Sequence, residues 1–445
     1  MKKTVALFLA VIMLISCFAF AGSAKKDEAD KVLRFDDDGR FKIMQIADIQ
    51  DGFFLKALTE EFITAVLDME KPDLVVLTGD NIGQGWGITY GAIKMNINNF
   101  MSIFQQRDIP VAIVYGNHDD EDNVLGKELQ WKIYESYDCF VGVADTEEMA
   151  GFGTYNIPVY SSKDAGKKAF NLWFFDSQTY NRENDLGGYG CVEKDQIDWY
   201  IRTEKALAAE NGGTPVPSLA FQHIIIPEVY GGSYIMIYRH LEEEELASLG
   251  VTEDFVPELD EAKYHIDENG VIYEIVGDES IYDENYDVLW KDDIYAFPPE
   301  YIDEDTFIGE DGGAPLYSNG QADAMVDNGN VLGLAVGHDH VNSFVMPYRG
   351  MDIIQTPTGA FGSYGDENRG IRVFELDEKD LSTYETDIIF FRDVFDVEDP
   401  LMANRIIASS TSSTFGEQIV AFFTAGYYRF LYAFEKFASL VKFPF

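Results

Sequence analysis

Five short clusters of Asp, Asn and His punctuate the chain, each placed directly after a run of apolar residues. They are Asp48-Ile49-Gln50-Asp51, Gly79-Asp80-Asn81, Gly116-Asn117-His118-Asp119, His223 following Gln222, and Gly337-His338-Asp339-His340. Carboxylate, carboxamide and imidazole together suit iron, manganese or zinc better than calcium or a thiolate site. The chain has six histidines, and four of them fall in these clusters. Taken singly, each cluster has a plain explanation: an Asp after a strand is usually a turn or cap residue, and a lone buried His is usually satisfied by its neighbours. Recurrence of the same residue types at five strand ends is what points to metal chemistry. The two remaining histidines, His240 and His265, are expected at the surface.

The elements that must hold these clusters can be read from periodicity. Phe41–Ala47 reads as a strand, 55–69 as a helix with apolar residues at helical spacing, Asp73–Thr78 as a second strand, 88–106 as a second helix and Pro110–Tyr115 as a third strand. This βαβαβ order predicts an α/β layered domain with partly parallel sheet. Further strands are expected at 170–175, 219–222, 331–336, 344–347, 353–356, 371–376 and 386–391, so the second half is strand-rich and the sheet mixed. Ligand sites in open α/β sheets collect at the carboxyl ends of strands, which is where all five clusters fall.

The ordered set of motifs resembles the calcineurin-like metallophosphoesterases, over roughly residues 41–395. Gly116-Asn117-His118-Asp119 combined with Gly337-His338-Asp339-His340 is the most specific part. Phe175-Asp176-Ser177, Gly188-Tyr189-Gly190, the run Asp195 to Tyr200, and Gln222-His223 with Pro227-Glu228 are similar to the short purple acid phosphatase-like branch. The resemblance implies a four-layer α/β/β/α sandwich of two mixed sheets around two divalent or trivalent metal ions (Fe, Mn or Zn). It implies that Asp80 bridges both ions, that Asp48, Gln50 and His340 complete the first site, and that Asn117, His223 and His338 complete the second. It further implies hydrolysis of phosphomonoesters by metal-activated hydroxide, with His118 as general acid and Asp119 orienting its ring. A phosphodiesterase acting on nucleotides or lipid headgroups is the alternative within the same scaffold. Two positions depart from the family. Gln50 stands where His is usual, a neutral and weaker donor; this keeps open a weakened metal-binding surface protein without activity, or completion of the first site by Asp51. Gly83 stands where coloured purple acid phosphatases place a tyrosine, so no tyrosinate charge-transfer colour is expected.

The 445 residues carry 78 acidic and 33 basic side chains, for a net charge of −45. Such a surface repels phosphate backbones, so a small phosphorylated substrate is expected and nucleic-acid binding is not. With 46% hydrophobic residues the chain can build a large core, which excludes global disorder. Nearly half the excess lies in 241–310, where 24 acidic residues face only Lys263 and Lys291; this reads as an ordered acidic insertion. Residues 1–24 have the charged start, apolar run and small-residue cleavage site of a signal peptide, which predicts a secreted or extracytoplasmic protein. Leu14-Ile15-Ser16-Cys17 also has the form of a lipobox, giving lipid anchoring at Cys17 as the lesser reading. The phosphoesterase domain is then expected over 35–395. Residues 396–445 are expected to form a polar linker and an aromatic-rich helix, packed on the domain or touching a membrane surface. Cys139 and Cys191 are free to pair or to remain thiols. No Gly-x-Ser-x-Gly elbow or P-loop occurs, so serine-hydrolase and NTPase chemistry find no support.

Overall fold

A computed structural model describes residues 32–52, 54–83, 89–121, 125–181, 188–230, 237–240, 243–252, 255, 257, 259, 264–266, 272–276, 294–295, 305–310, 312–315 and 317–410. The chain divides into two units, Met1–Val32 and Leu33–Phe445, and the architecture below is that of the second. The segment expected as a signal peptide, Cys17 and the aromatic-rich C-terminal stretch lie outside the described residues. Among those described, no helix is long and apolar enough to cross a membrane.

The strands in chain order are β1 (Arg40–Ile46), β2 (Leu74–Thr78), β3 (Val111–Val114), β4 (Tyr155–Tyr160), β5 (Lys168–Phe174), β6 (Ser218–Phe221), β7 (Ile237–His240) and β8 (Tyr264–Ile266). They continue with β9 (Ile272–Val276), β10 (Ile294–Tyr295), β11 (Phe307–Ile308), β12 (Val331–Val336), β13 (Asn342–Tyr348), β14 (Met351–Gln355), β15 (Gly370–Asp377) and β16 (Asp380–Phe390). Five of them form one mixed sheet in the order β16-β15-β1-β2-β3, parallel across β1, β2 and β3 and antiparallel at β15 and β16. Seven form a second mixed sheet, β11-β13-β14-β12-β6-β5-β4, whose centre is also parallel.

Alternation along β6 shows how the layers stack. Leu219 and Phe221 belong to the core shared with the first sheet, where the Phe221 ring meets Phe374 of β15 edge to face at 5.9 Å. Ala220, between them, joins a separate cluster with Trp199 and Tyr200 of the Lys194–Glu210 helix and Met325 of the Gln321–Asn328 helix. The outer face of the first sheet is covered by two helices. Ala57–Glu70 buries Leu58, Phe62, Ile63, Val66 and Leu67, and Tyr90–Gln105 buries Ile93, Ile97, Phe100, Met101 and Phe104, one stripe per helix. The Thr89 hydroxyl caps the second helix by accepting the Ala92 N–H. Helix, sheet, sheet and helix give the expected mixed α/β sandwich.

Several details differ from the sequence reading. β16 starts at Asp380, six residues before the expected strand, because its first half alternates on an exposed edge and lacks a continuous apolar run. Pro400–Ser410 adds a helix that the sequence reading does not name, and its Arg405 pairs with Glu61 at 2.7 Å. In and beside the acidic region, β10, β7, β9 and β8 form their own four-stranded antiparallel sheet. The side chains of His240 and His265 on those strands lie outside the described set, as does Val288-Leu289-Trp290. Cys139 and Cys191 are both buried free thiols.

Candidate metal centre

The ends of β1, β2, β3, β6 and β12 meet at one edge of the sandwich and bring the five clusters together. The backbone turns there are unusual: Asp48, Gln50, Asp80 and His338 all have positive φ, at 56°, 40°, 49° and 77°. Non-glycine residues rarely adopt that region, and four of the eight that do so among the described residues gather here. The turns lock onto one another, since Gln50 N–H donates to Asp80 O at 3.0 Å, and Asp48 Oδ2 accepts the His338 N–H at 2.9 Å.

Asp80 lies at the centre and is buried. Its Oδ1 accepts the His118 N–H at 2.8 Å, and its Oδ2 lies 3.3 Å from His223 Nε2 and 3.8 Å from His118 Nε2. Asp80, His223 and His338, all buried, offer ligand atoms within 4.8 Å of one another. Asn117 Oδ1 is 3.2 Å from His223 Nε2, and His338 Nδ1 is 3.2 Å from the same nitrogen. On the other side, Asp48 Oδ1 faces His340 Nε2 at 3.4 Å and is a buried oxygen without a hydrogen bond. Gln50 Nε2 donates to Asp80 Oδ2 at 2.7 Å and lies 3.3 Å from His340 Nε2. All seven residues named as metal ligands from the sequence therefore share one buried cluster.

Neighbouring groups aim the imidazoles. His223 Nδ1 lies 2.8 Å from Thr78 O, and His340 Nδ1 lies 3.0 Å from Tyr364 O, so each ring turns Nε2 into the cluster. A second ring nitrogen held by a carbonyl is the usual arrangement for metal-ligating histidine. Charge is strongly coupled here. Burial opposes ionisation of Asp80, but the charge and hydrogen bond of His223 prevail and hold its carboxyl below the usual range. Burial likewise lowers His223, yet Asp80 and Asp48 outweigh it and push the ring up to about 10. His338 is held well below its ordinary value by burial and by the neighbouring His223 charge. The orphaned Asp48 Oδ1 and the inward Nε2 atoms fit a cation.

His118 is the most exposed of these side chains, at 28%, and its Nδ1 lies 2.5 Å from Glu121 Oε2. The Asp119 carboxylate accepts from Gly116 N–H at 2.8 Å and Ile82 N–H at 2.9 Å, with Asn81 Nδ2 at 3.4 Å, which ties it into the loop. Asp51 Oδ2 accepts the Lys56 N–H at 2.7 Å, at the start of the first helix. Gly83 is buried beside Ile82. Sequence reasoning misses three residues at the rim. Glu121 follows His118 by three positions and is legible only once the turn there is known. Tyr180 and Tyr364 are the others, and Tyr364 stacks on His340 at 4.0 Å. Tyr189, quoted from the sequence only within a family motif, stands edge-on to His338 at 4.4 Å.

Residues 41–203 match a family model described as calcineurin-like phosphoesterase. His223, His338 and His340 lie beyond the matched segment. Curated relatives are purple acid phosphatase-like. "Probable inactive purple acid phosphatase 29" of Arabidopsis thaliana is 28% identical over 50% of this chain, which spans 63% of that relative's length. "Probable inactive purple acid phosphatase 14" of the same plant is 23% identical over 82% of both chains. Phosphatase DCR2 of Saccharomyces cerevisiae is 30% identical over 47% of this chain and 39% of its own. Among solved structures, a dimetal phosphatase from Danio rerio aligns over 79% of this chain and 99% of its own, with 12% identity and a TM-score of 0.40.

Proposed function

We propose that this protein is an exported phosphoesterase that hydrolyses small phosphomonoesters at a dinuclear metal centre. The observation that carries the reading is the convergence of Asp48, Gln50, Asp80, Asn117, His223, His338 and His340 in one buried cluster containing an orphaned carboxylate oxygen. Asp48, Gln50, Asp80 and His340 would hold one ion, and Asp80, Asn117, His223 and His338 the other; the donor set suits iron, manganese or zinc. When bound, two such cations neutralise phosphate charge and lower the pKa of water. His118 reaches over the cluster from its exposed side, where its Nε2 can hand a proton to the departing alkoxide. Export rests on the leader at 1–24, and the N-terminal sequence of the mature protein tests it.

Replacing His118 with Ala is expected to lower kcat by about 10²–10⁴-fold for esters with poor leaving groups, and far less for p-nitrophenyl phosphate. Equal losses for both classes would contradict the general-acid role. Parallel turnover of mono- and bis-(p-nitrophenyl) phosphate separates monoesterase from diesterase activity.

A second reading, a metal-binding protein without turnover, is favoured by Gln50, whose amide nitrogen points at Asp80 and His340. Rotating that amide by half a turn would present Oε1 instead. Metal bound without hydrolysis of either ester would support this reading.

A further inference from the structure

The groups behind His118 form a continuous chain that the strand-end motifs do not include. After Asn117 the backbone makes a tight turn, with Glu121 N–H donating to Asn117 O at 3.2 Å. That turn brings residue i+3 back beside the ring, so Glu121 Oε2 lies 2.5 Å from His118 Nδ1. The Glu121 side chain is only 10% exposed. Its other oxygen, Oε1, accepts the hydroxyl of Tyr180, which arrives from a separate segment after β5. The Tyr180 ring is itself fixed, stacked on Tyr189 at 5.7 Å and 16°, and Tyr189 in turn abuts His338. Asp119, the residue that the family pattern implies for orienting the ring, has both carboxylate oxygens engaged by the loop that it closes.

We propose that Glu121, held by Tyr180, is the carboxylate that orients His118, and that Asp119 instead shapes the loop carrying it. Glu121 and Tyr180 are positioning residues. They hold the Nδ1–H of the ring and so turn Nε2, which carries the transferred proton when the ring is charged, toward the leaving group. The proposal rests on the reading of His118 as the general acid, and two independent readouts separate the failure of one from the failure of the other.

The first readout needs no turnover. Long-range proton–nitrogen spectra of the histidine-labelled full chain, taken where the ring is neutral, report which nitrogen carries the proton. Signals of His118 are identified by their loss in His118→Asn. The Nδ1–H form is expected in the unaltered chain and in Asp119→Asn, with a shift toward Nε2–H in Glu121→Gln. An Nε2–H ring in the unaltered chain, or a tautomer unmoved by Glu121→Gln, overturns the proposal. The second readout is kinetic. Glu121→Gln is expected to lower kcat for phenyl phosphate by about 10–100-fold, the usual effect of losing an orienting partner, with KM and metal content unchanged. The loss for p-nitrophenyl phosphate should be several-fold smaller, and Tyr180→Phe should show the same pattern with smaller losses. Equal losses on both esters would mark a merely structural role and overturn it. An unaltered chain that hydrolyses neither ester would contradict the phosphatase reading, while the spectra still decide the placement of Glu121.

Discussion

His223 and His340 each turn Nδ1 to a backbone carbonyl, so the chemistry of this site depends on which ring atom remains to face inward. Asp51 shows the same dependence on orientation. The sequence allows it as an alternative ligand beside Gln50, but its carboxylate turns to the Lys56 N–H. Burial, partly offset by Lys56, pushes this acid up to about 6 from an ordinary 3.8. A folded-state pKa above the unfolded one favours the protonated form, so the stability contribution is present below about pH 4 and is lost as the pH rises through 6. Two units correspond to about 3 kcal/mol. In metal-stripped protein, urea unfolding should show Asp51→Asn gaining stability relative to the unaltered chain between pH 4 and 7, up to that amount. A pH-independent difference would contradict the assignment. Residue types at the centre are legible in the sequence because five clusters repeat one chemistry. The positive φ of Asp48, Gln50, Asp80 and His338 is not, since none of these residues announces that backbone as glycine would.

The loops after β2 and β3 pack so closely that glycine is required where they touch. A Cβ on Gly116 would sit 2.1 Å from Asp80 Oδ1 and 2.4 Å from the Asp80 backbone nitrogen. Gly116→Ala is therefore expected to displace Asp80 and lower metal content, while leaving the circular dichroism of the sandwich largely unchanged. Full metal occupancy in that variant would show that the two loops are not coupled. Other motif residues act as braces rather than as chemistry. Asp176 holds Lys127 with both oxygens at 2.9 Å, and Gln196 donates to Asp176 O at 2.9 Å and to Thr154 Oγ1 at 2.6 Å. The βαβαβ half is legible because its strands are buried and its helices carry clean apolar stripes. β4 is not, because Pro158 interrupts an alternating strand at the edge of the sheet, beside β5.

Across the whole molecule, the site exists because two sheets present their strand ends at one edge. β1, β2 and β3 supply Asp48, Gln50, Asp80 and Asn117, while β6 and β12 supply His223, His338 and His340. The net charge of −45 is distributed unevenly along the sequence, with a net −22 in residues 241–310, between the His223 and His338 clusters. In the proposed centre one carboxylate, Asp80, would hold both halves together. Metal analysis of the purified chain, paired with Asp80→Asn and assayed with p-nitrophenyl phosphate, reads out this role. Close to two ions per unaltered chain are expected, with loss of metal and of turnover in the variant. Full activity in Asp80→Asn, or an unaltered chain that binds no metal, would contradict it.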